Sequence, residues 1–463
     1  MMKQLAVAAL LGLTALNAQA ATVAVVDSGT DFTHDKLKSS AWVNAKDSSF
    51  DKVDNDQNGK VDDVNGWNFV DKYGKVFYRE HLKDVNPIVF QLMTIIAHRQ
   101  AGSVTPGEEE FFDANLKNLP DADKQGLLAH LNWYGTYTHG THVAGIVQRQ
   151  SPGSKIMSAR VFPDGPAPRY PVKAANAFGF AFGGPVDWIY KLLAFITNGQ
   201  FGEVGTYLAQ QKVDVANYSL GLSLTQIAKA SLQLRGNKEP SKDEIAAEAR
   251  RLYAQFEPEG KKWMALSPNT LFVIASGNDG EDNDVLPAFP ANVQVENSIS
   301  VGASLGYGKI ADFSNFGAKS VDVVAPGVAI LSTVAADDHN AMLPLSGTSM
   351  AAPFVTGVAA RIKDANPALT PAQLKAILIG TVDKKDWLVG KVNSAGVVNS
   401  DRAARAGTLS LSRNGDIAGA IAQARAEVKD RADSDEGPGL MPFFSETTGR
   451  SRDLDEAAQM LVF

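Results

Sequence analysis

The sequence of 463 residues contains no cysteine. Disulfide bonds are therefore excluded, and any cross-link in the folded chain has to come from packing or from a bound metal ion. The sequence also lacks an excess of basic residues, because its formal net charge is −7. This charge gives no reason to expect nucleic acid or an anionic membrane as a partner.

Beyond its N-terminus the chain has no apolar run near the roughly 20 residues that a membrane-spanning helix needs. A hydrophobic fraction of 44% and a charged fraction of 21% are typical of a globular protein. We therefore expect a folded protein without a membrane span, acting as a monomer.

Residues 1–20 form a separate N-terminal segment. Lys3 gives a basic start, an apolar run follows over residues 5–16, and Ala18 and Ala20 supply the small residues of a cleavage site. A membrane anchor, the alternative, would need a longer apolar run. The segment therefore predicts a signal peptide that is cleaved after Ala20, and export to the periplasm or the medium.

Four short β-branched runs predict strands that are buried on both faces, at residues 22–26, 156–161, 213–218 and 271–275. Helical stretches lie between them, and one of these covers residues 139–147. Strands that alternate with helices predict an α/β fold with a mostly parallel central sheet and helices on both faces.

Two segments look like helical insertions at the surface of this core, at about 72–132 and 222–262. The first contains a helical pattern at 81–99. In the second, Ser241 and Glu244 form a capping box before a helix at 245–256, which Pro258 and Gly260 are expected to close.

The C-terminal segment 406–463 has a different composition from the core. It is charged, and we expect it to be partly helical or disordered. Residues 433–439 have the pattern of a linker, and residues 454–463 form a short amphipathic stretch.

Ser349 and Asn278 each follow a pattern that suits chemistry on a carbonyl group. Ser349 lies in LSGTSMAAPF, where small residues start a helix that is predicted to run to about residue 362. A serine there has a free backbone N–H and the positive end of the helix dipole beside it. Asn278 lies in ASGNDG after a buried strand, and its amide is a candidate oxyanion donor. Taken alone, the two residues also fit an N-cap and a turn.

His139 and Asp27 are the matching candidates for a base and its orienting group. His139 opens HGTHVAG, whose small residues let a helix lie close to its neighbour. His142 could suggest a metal pair, but no acidic residue completes the H-E-x-x-H pattern, so a structural His142 is favoured over zinc. Asp27 ends the first strand, at the edge where α/β sheets build their sites. It also fits a simple turn.

The order of these residues, with the segments around them, resembles one known family. Four independent turns do not explain the order Asp, His, Asn, Ser. The segments resemble blocks of the subtilisin-like serine peptidases (subtilases) over roughly residues 21–405, namely VVDSG at 25–29, HGTHVAG at 139–145, NYSLG at 217–221, APG at 325–327 and GTSMAAP at 347–353.

This resemblance implies a secreted serine endopeptidase that hydrolyses peptide bonds through an acyl-enzyme. Ser349 would attack the scissile carbonyl, His139 would act as general base and acid, and Asp27 would orient it. Asn278 and the Ser349 backbone N–H would bind the oxyanion. The chemistry would require no cofactor. Protein or peptide substrates would pair as an added strand with Ser219, Leu220, Gly221, Ser276 and Gly277.

Two features depart from the family pattern. Only Ala21 and one short strand separate the expected cleavage site from Asp27, so we expect no pro-segment of the kind that many secreted subtilases carry. Asp27 and His139 are 112 positions apart, further than in a minimal member. We hypothesise that the insertion at 72–132 replaces a stabilising or inhibitory role of the missing segment.

An acidic loop, DNDQNGKVDD, lies at residues 54–63. Oxygen-bearing side chains at alternate positions and a glycine at the sixth suit a calcium loop, with Asp54, Asp56, Asn58 and Asp63 as the candidate ligands. Asn65 replaces the glutamate that is expected at the twelfth position, so a solvated acidic turn stays open as the alternative.

Two rival functions differ from an active peptidase. A peptide-binding pseudoenzyme would keep the fold and lose catalysis, and the four intact residues weigh against it. An esterase of the α/β-hydrolase type would need a G-x-S-x-G motif and the order Ser, Asp, His. The serine lies in GTSMA and the order differs, so the esterase is excluded.

Overall fold

The computed structural model describes residues 20–163 and 199–435. The predicted signal peptide up to residue 19 and the tail from residue 436, including the amphipathic stretch at 454–463, lie outside these residues. In the part of the chain that is described, no helix combines the length and the apolarity needed to span a membrane.

Fourteen strands lie in the described chain, most of them short and apolar. In chain order they are β1 (Thr22–Asp27), β2 (Gly66–Asn68), β3 (Lys155–Arg160), β4 (Val215–Tyr218), β5 (Leu222–Ser223), β6 (Leu271–Ala275), β7 (Ala288–Phe289), β8 (Ser298–Leu305), β9 (Lys309–Ile310), β10 (Val323–Pro326), β11 (Ile330–Thr333), β12 (Met342–Leu345), β13 (Asp383–Lys384) and β14 (Gly396–Val397). The four predicted strands correspond to β1, β3, β4 and β6.

Ten α-helices accompany these strands in the same described ranges. They are α1 (Ile88–Ala101), α2 (Pro106–Phe112), α3 (Asp121–Gln150), α4 (Gln200–Gln210), α5 (Leu224–Leu234), α6 (Lys242–Ala265), α7 (Thr348–Ala365), α8 (Pro371–Gly380), α9 (Ser400–Ser412) and α10 (Ile417–Glu427). Short 3-10 turns lie at Arg79–Asp84 and Asp386–Leu388, and one π-helical turn follows α2 at Asp113–Lys117.

One central sheet organises the molecule, with the strand order β13-β14-β10-β8-β6-β4-β1-β3-β2 and with β9 paired to β8. From β2 to β14 the neighbours on this path are parallel, and β13 and β9 are added antiparallel. Two small antiparallel pairs, β11 with β12 and β5 with β7, lie outside the sheet.

Both faces of the sheet are covered by helices, which explains why its strands lack polar alternation. Val23 and Val25 of β1 belong to one apolar cluster, which includes residues of α1, α3 and α7. Ala24 and Val26 point the other way into a second cluster, with residues of α4 and α6. The predicted α/β fold, with a mostly parallel sheet between two helical layers, is confirmed.

The helix that carries His139 is much longer than the predicted 139–147. It runs over Asp121–Gln150, so its first half lies inside the segment 72–132 that composition marks as an insertion. His139 therefore lies in the interior of a 30-residue helix.

The predicted helix at 81–99 is wrong in its first turns, up to residue 87. The structure has a 3-10 turn at Arg79–Asp84 and then a separate helix from Ile88. Asn86 precedes Pro87, and a residue before proline is disfavoured in the α conformation, which favours a break in the helix at this point.

The predicted end of the second insertion's helix at Pro258 and Gly260 is also wrong. The capping box of Ser241 and Glu244 is present, but α6 continues to Ala265 with Pro258 inside it. Packing explains the continuation, because Trp263 in the last turn is buried and stacks on Tyr218 with ring centroids 5.2 Å apart. The burial of that indole outweighs the lost hydrogen bond at proline.

The segment after residue 405 is folded as far as the structure describes it. Helix α9 crosses this position without a break, and α10 follows. The Arg402 side chain, 1% exposed, donates to Asp383 at 2.9 Å, to the Val428 carbonyl at 2.8 Å and to Asp430 at 2.5 Å. The buried Lys385 ammonium likewise donates to Asp433 at 2.5 Å. These contacts attach residues 428–433 to the body of the protein.

Candidate active site

Three neighbouring strands end beside one another, and Asp27, Ser219 and Asn278 lie at or just after their ends. In the order β6-β4-β1, each strand ends at the same carboxyl edge. Asp27 is the last residue of β1, Ser219 follows β4, and Asn278 follows β6 by three positions. The carboxyl edge of a parallel sheet is where α/β proteins commonly bind their ligands.

Asp27 and His139 form a buried pair at this edge. His139 Nδ1 lies 2.8 Å from Asp27 Oδ1 and 2.9 Å from Oδ2, and the carboxylate is fully buried. The carboxylate accepts a hydrogen bond from Nδ1–H, which favours the imidazole tautomer that carries its proton on Nδ1 and leaves Nε2 as the acceptor nitrogen. The backbone N–H of Ser28 also donates to Asp27, at 2.7 Å, which holds the carboxylate.

A close backbone approach brings the histidine helix onto the loop after β1. A Cβ atom at Gly140 would lie 2.3 Å from the Gly29 carbonyl oxygen, which no side chain tolerates. The Gly140 N–H donates to Ser28 Oγ at 3.1 Å across the same contact. The small residues of HGTHVAG therefore allow the short distance between α3 and Asp27.

His142 lies one helical turn beyond His139 and is fully buried. Its Nε2 lies 3.0 Å from the Leu343 carbonyl of β12, which requires a proton on that nitrogen. Burial lowers the pKa of His142 to about 3, so the ring is neutral at neutral pH. It joins the histidine helix to the strand that leads toward Ser349, as expected for a structural residue.

Ser349 lies in the first turn of α7, whose start is fixed from two directions. Ser219 Oγ donates to the Ser349 carbonyl at 2.8 Å and accepts from Asn217 Nδ2 at 2.9 Å. Thr356, two turns further along α7, donates to Asn217 Oδ1 at 3.0 Å. The Ser349 hydroxyl itself donates to the Ser219 carbonyl at 3.3 Å.

Asn278 is bound to the same helix start through its carbonyl oxygen. Its Oδ1 accepts from the Thr348 backbone N–H at 2.8 Å and from the Thr348 hydroxyl at 2.9 Å. With Oδ1 used in this way, the amide nitrogen remains to donate to an anion beside Ser349. Thr348 thus anchors the Asn278 side chain. The sequence alone did not single out Thr348, although it lies inside the GTSMAAP segment.

The five predicted substrate-binding residues also meet at this edge. Tyr218 of β4 is paired with Ile274 of β6, so Ser219, Leu220 and Gly221 leave the sheet next to Ser276 and Gly277. Ser219, Leu220 and Ser276 are buried, whereas Gly221 and Gly277 are half-buried.

The acidic loop brings together a set of carboxylates that differs from the predicted one. Oxygen atoms of Asp47, Asp54 and Asp56 all lie within 4.8 Å of one another. Asp47 lies outside the motif and was missed, since only the fold brings it to the loop. Asp51 and Asp62 form a second group with Asp47 by the same criterion.

Two of the predicted calcium ligands have other partners. Asp63 accepts from Asn44 at 2.6 Å, from Asn58 at 3.0 Å and from the Tyr207 hydroxyl at 2.8 Å. Burial raises the pKa of Asp63. The Asn58 amide nitrogen also donates to Asp56 at 3.1 Å. Asp63 is turned toward α4 by its bond to Tyr207, whereas Asn58 Oδ1 is buried with no hydrogen-bond partner among the described residues. Asn58 and Asp63 therefore stay predicted ligands.

A parallel α/β sheet with a buried aspartate–histidine pair and a serine at a helix start is typical of hydrolases with a catalytic triad. Comparison with known proteins defines the family more closely. The model of the subtilase family matches residues 18–407, and the chain belongs to this family.

Curated relatives cover different parts of the chain. An extracellular protease of Xanthomonas campestris pv. campestris is 38% identical over 31% of this chain and 24% of its own length. M-protease of Shouchella clausii is 30% identical over 58% of this chain and 55% of its own length. The chain therefore spans about a quarter to about half of the length of these relatives. The solved structure of a cold-adapted subtilisin-like serine proteinase is 19% identical, with a TM-score of 0.42, over 81% of this chain and 89% of its own.

Proposed function

We propose that this chain is an active serine endopeptidase with Ser349 as nucleophile, His139 as general base and acid, and Asp27 as the group that orients the imidazole. The hydrogen bond from His139 Nδ1 to Asp27 carries the proposal. It fixes the tautomer in which Nε2 accepts the serine proton and later returns it to the leaving amine. Water then hydrolyses the acyl-enzyme by the same route.

The oxyanion of the tetrahedral intermediate is bound by Asn278 Nδ2 and the Ser349 backbone N–H in this proposal. The anchoring of Asn278 Oδ1 by Thr348 supports it, because a donor that is already oriented stabilises developing charge without reorganising. The N-terminus of α7 adds the positive end of its dipole.

Substrates are proposed to be extended protein or peptide chains, bound by a monomer. They would run along Ser219–Gly221 on one side and Ser276–Gly277 on the other, where two parallel strands end next to each other. Backbone pairing of this kind accepts many sequences, as a general endopeptidase requires.

Covalent labelling tests the nucleophile. A fluorophosphonate should label the purified protein and its Ser412→Ala variant, which alters an exposed serine of α9. Ser349→Ala should stay unlabelled and lose peptide hydrolysis. Equal labelling of Ser349→Ala would refute the assignment. Absence of labelling in the unaltered folded protein, with peptide binding retained, would favour the pseudoenzyme.

The proposed domain organisation is a signal peptide at 1–20, a peptidase domain at 21–405 with insertions near 72–132 and 222–262, and the tail at 406–463. Relatives named as extracellular proteases support export. Protein recovered from the exported fraction should begin at Ala21 on N-terminal sequencing, and an intact Met1 there would contradict cleavage.

Calcium binding at Asp47, Asp54 and Asp56 is proposed as a stabilising feature, without a part in the chemistry. Three carboxylates so close together repel one another unless a cation joins them. Added calcium should therefore raise Tm relative to chelator, by mass action on the folded state. Asp54→Asn should abolish this increment, and the exposed control Asp312→Asn should retain it. A Tm that is equal in calcium and chelator would contradict the proposal.

A further inference from the structure

Asn315 lies in the turn between β9 and β10, and it is 1% exposed. Its side chain points at the loop that follows β6 and carries Asn278. Asn315 Oδ1 accepts from the backbone N–H of Asp279 at 2.9 Å and of Glu281 at 3.1 Å. One amide oxygen therefore fixes the chain directly after the candidate oxyanion donor.

The backbone of Asn315 holds the same loop on the other side of Asn278. Its N–H donates to the Gly277 carbonyl at 2.9 Å, and its carbonyl accepts from Ser276 Oγ at 3.0 Å. Both neighbours of Asn278 in the chain are thus bonded to one residue. The peptide groups around Asn278 have little freedom to rotate.

Two further contacts hold the loop around Asn278, a close approach of Gly277 to Asn315 and hydrogen bonds of Asn283. Gly277 has φ +112°, and a Cβ there would lie 2.5 Å from Asn315 Nδ2, so the loop rests directly on the amide. Asn315 Nδ2 donates to Asn283 Oδ1 at 2.9 Å, and Asn283 Nδ2 donates to the Ser276 carbonyl at 2.9 Å. The amide groups of both asparagines are therefore hydrogen-bonded at each end.

We propose that Asn315 is a positioning residue, which sets the direction of the Asn278 amide nitrogen toward the oxyanion. The inference rests on the proposed role of Asn278. That side chain is anchored at its tip by Thr348, and its base follows the backbone that Asn315 holds. Donors to an oxyanion act through their orientation, and a shift of about 1 Å in a catalytic group costs on the order of 10²-fold in rate.

The first test separates positioning from simple stabilisation of the loop. Asn315→Ala removes the acceptor of both N–H groups, so kcat should fall about 10- to 100-fold while KM stays within about twofold. Asn315→Asp keeps that acceptor and should recover much of kcat. Affinity for a peptide aldehyde, which forms a tetrahedral adduct with the serine, should fall with kcat. Affinity for the cleaved product peptide should not change.

Asn366→Ala is the matched control for a buried asparagine. Asn366 is also buried, donates to Ser410 Oγ at 2.9 Å and accepts from the Ala368 N–H at 3.2 Å, beyond the far end of α7. Its substitution should lower Tm and leave kcat unchanged. If Asn315→Ala does not fold, Asn315→Ser takes its place, because the shorter hydroxyl does not reach both N–H groups.

A double-mutant cycle with Asn278→Ala completes the experiment. Asn278→Ala alone should lower kcat by about 10²–10³-fold, a range known from a member of this family. In that background Asn315→Ala should have almost no further effect on kcat. If Asn278→Ala leaves kcat unchanged, the proposed function of Asn278 fails. If Asn278→Ala lowers kcat but Asn315→Ala only lowers Tm, or if its effect is the same in both backgrounds, the positioning role is refuted.

Discussion

Gly140 is the point at which the histidine helix touches the loop after β1, the strand that ends at Asp27. Its neighbour His139 lies 2.8 Å from Asp27, and the contact beside it joins two backbones that have little room to move apart. The absence of a side chain at this position therefore permits the close approach that the Asp–His pair needs.

We expect Gly140→Ala to lower kcat by on the order of 10²-fold and to destabilise the protein, because the new Cβ would meet the Gly29 carbonyl at 2.3 Å. Steady-state kinetics and thermal unfolding would measure the two effects. Gly107→Ala is the control, since nothing lies within 4 Å of a Cβ there. Equal activity of the Gly140→Ala variant would show that the contact does not fix the pair.

His142 gives a second prediction at this scale, for the pH dependence of stability. Burial lowers the pKa of its folded form to about 3 from the ordinary 6.5. Between these values the unfolded chain binds a proton that the folded chain does not, so the free energy of unfolding falls as pH falls. This one group contributes a slope of up to about 1.4 kcal/mol per pH unit.

The variant His142→Gln keeps a donor for the Leu343 carbonyl and removes the titrating ring. Denaturant unfolding at several values between pH 6.5 and 4 should show a shallower loss of stability than in the unaltered protein. The slope is the relevant readout, since the substitution also changes packing. A slope identical to that of the unaltered protein would contradict the buried neutral state.

The residues of the candidate site could be predicted from the sequence, whereas most of the residues that hold them in place could not. The four candidate residues lie in short segments that follow one another in a fixed order, namely those of Asp27, His139, Asn278 and Ser349. Glycine and other small residues in these segments allow tight turns and close packing. Asn315 had no such signal, because the role proposed for it depends on hydrogen bonds to a loop more than 30 positions away. Asp47 was missed for the same reason, since proximity to Asp54 arises only in the fold.

At the scale of elements, the insertion before α3 packs on the strand pair that precedes Ser349. Helix α1 contacts β12 and α3, and its residues Leu92 and Ile96 are buried in the main apolar cluster. Arg79, at the start of the 3-10 turn that precedes α1, donates to the Ala336 carbonyl at 2.8 Å and pairs with Asp31. The insertion thus joins the loop after β1 to the segment between β11 and β12.

We therefore expect Leu92→Ala to lower the free energy of unfolding by about 2–5 kcal/mol and to reduce the yield of active protein on refolding. Gln91→Ala, at the exposed neighbouring position, should have little effect on either quantity. Unchanged stability and refolding of Leu92→Ala would argue against a stabilising role for the insertion.

Elements with a continuous apolar pattern were predictable, whereas their ends were not. β6 matches its prediction residue for residue, since a buried strand needs only the run Leu271–Ala275. α6 continues past Pro258 because Trp263 is buried by residues distant in sequence. Local propensity is a weak preference that tertiary packing overrides.

At the scale of the whole molecule, the segment after α10, residues 428–435, binds to residues near one end of the central sheet. Residues 428–435 supply partners for Arg402 and Lys385, and the Tyr307 N–H donates to the Asp435 carbonyl at 3.0 Å. The charges of Arg402 and Lys385 are buried, so their partners matter more than those of exposed side chains.

A chain that ends at residue 427 should lose about 3 kcal/mol of stability, because it leaves the Arg402 guanidinium short of acceptors. A chain that ends at residue 435 keeps these partners and is the matched control. Thermal and denaturant unfolding of the two forms would measure the difference. Equal stability of both forms would show that residues 428–435 contribute nothing to the stability of the fold.

The central sheet ends on both sides in very short strands. In the described chain, β13 has two residues and β2 has three. Long free edges offer unpaired backbone groups to a second molecule and so promote aggregation. Two copies that collide in a concentrated solution would find only a few such groups at either side. In its folded state the protein thus offers few unpaired backbone groups from which a sheet shared between molecules could grow.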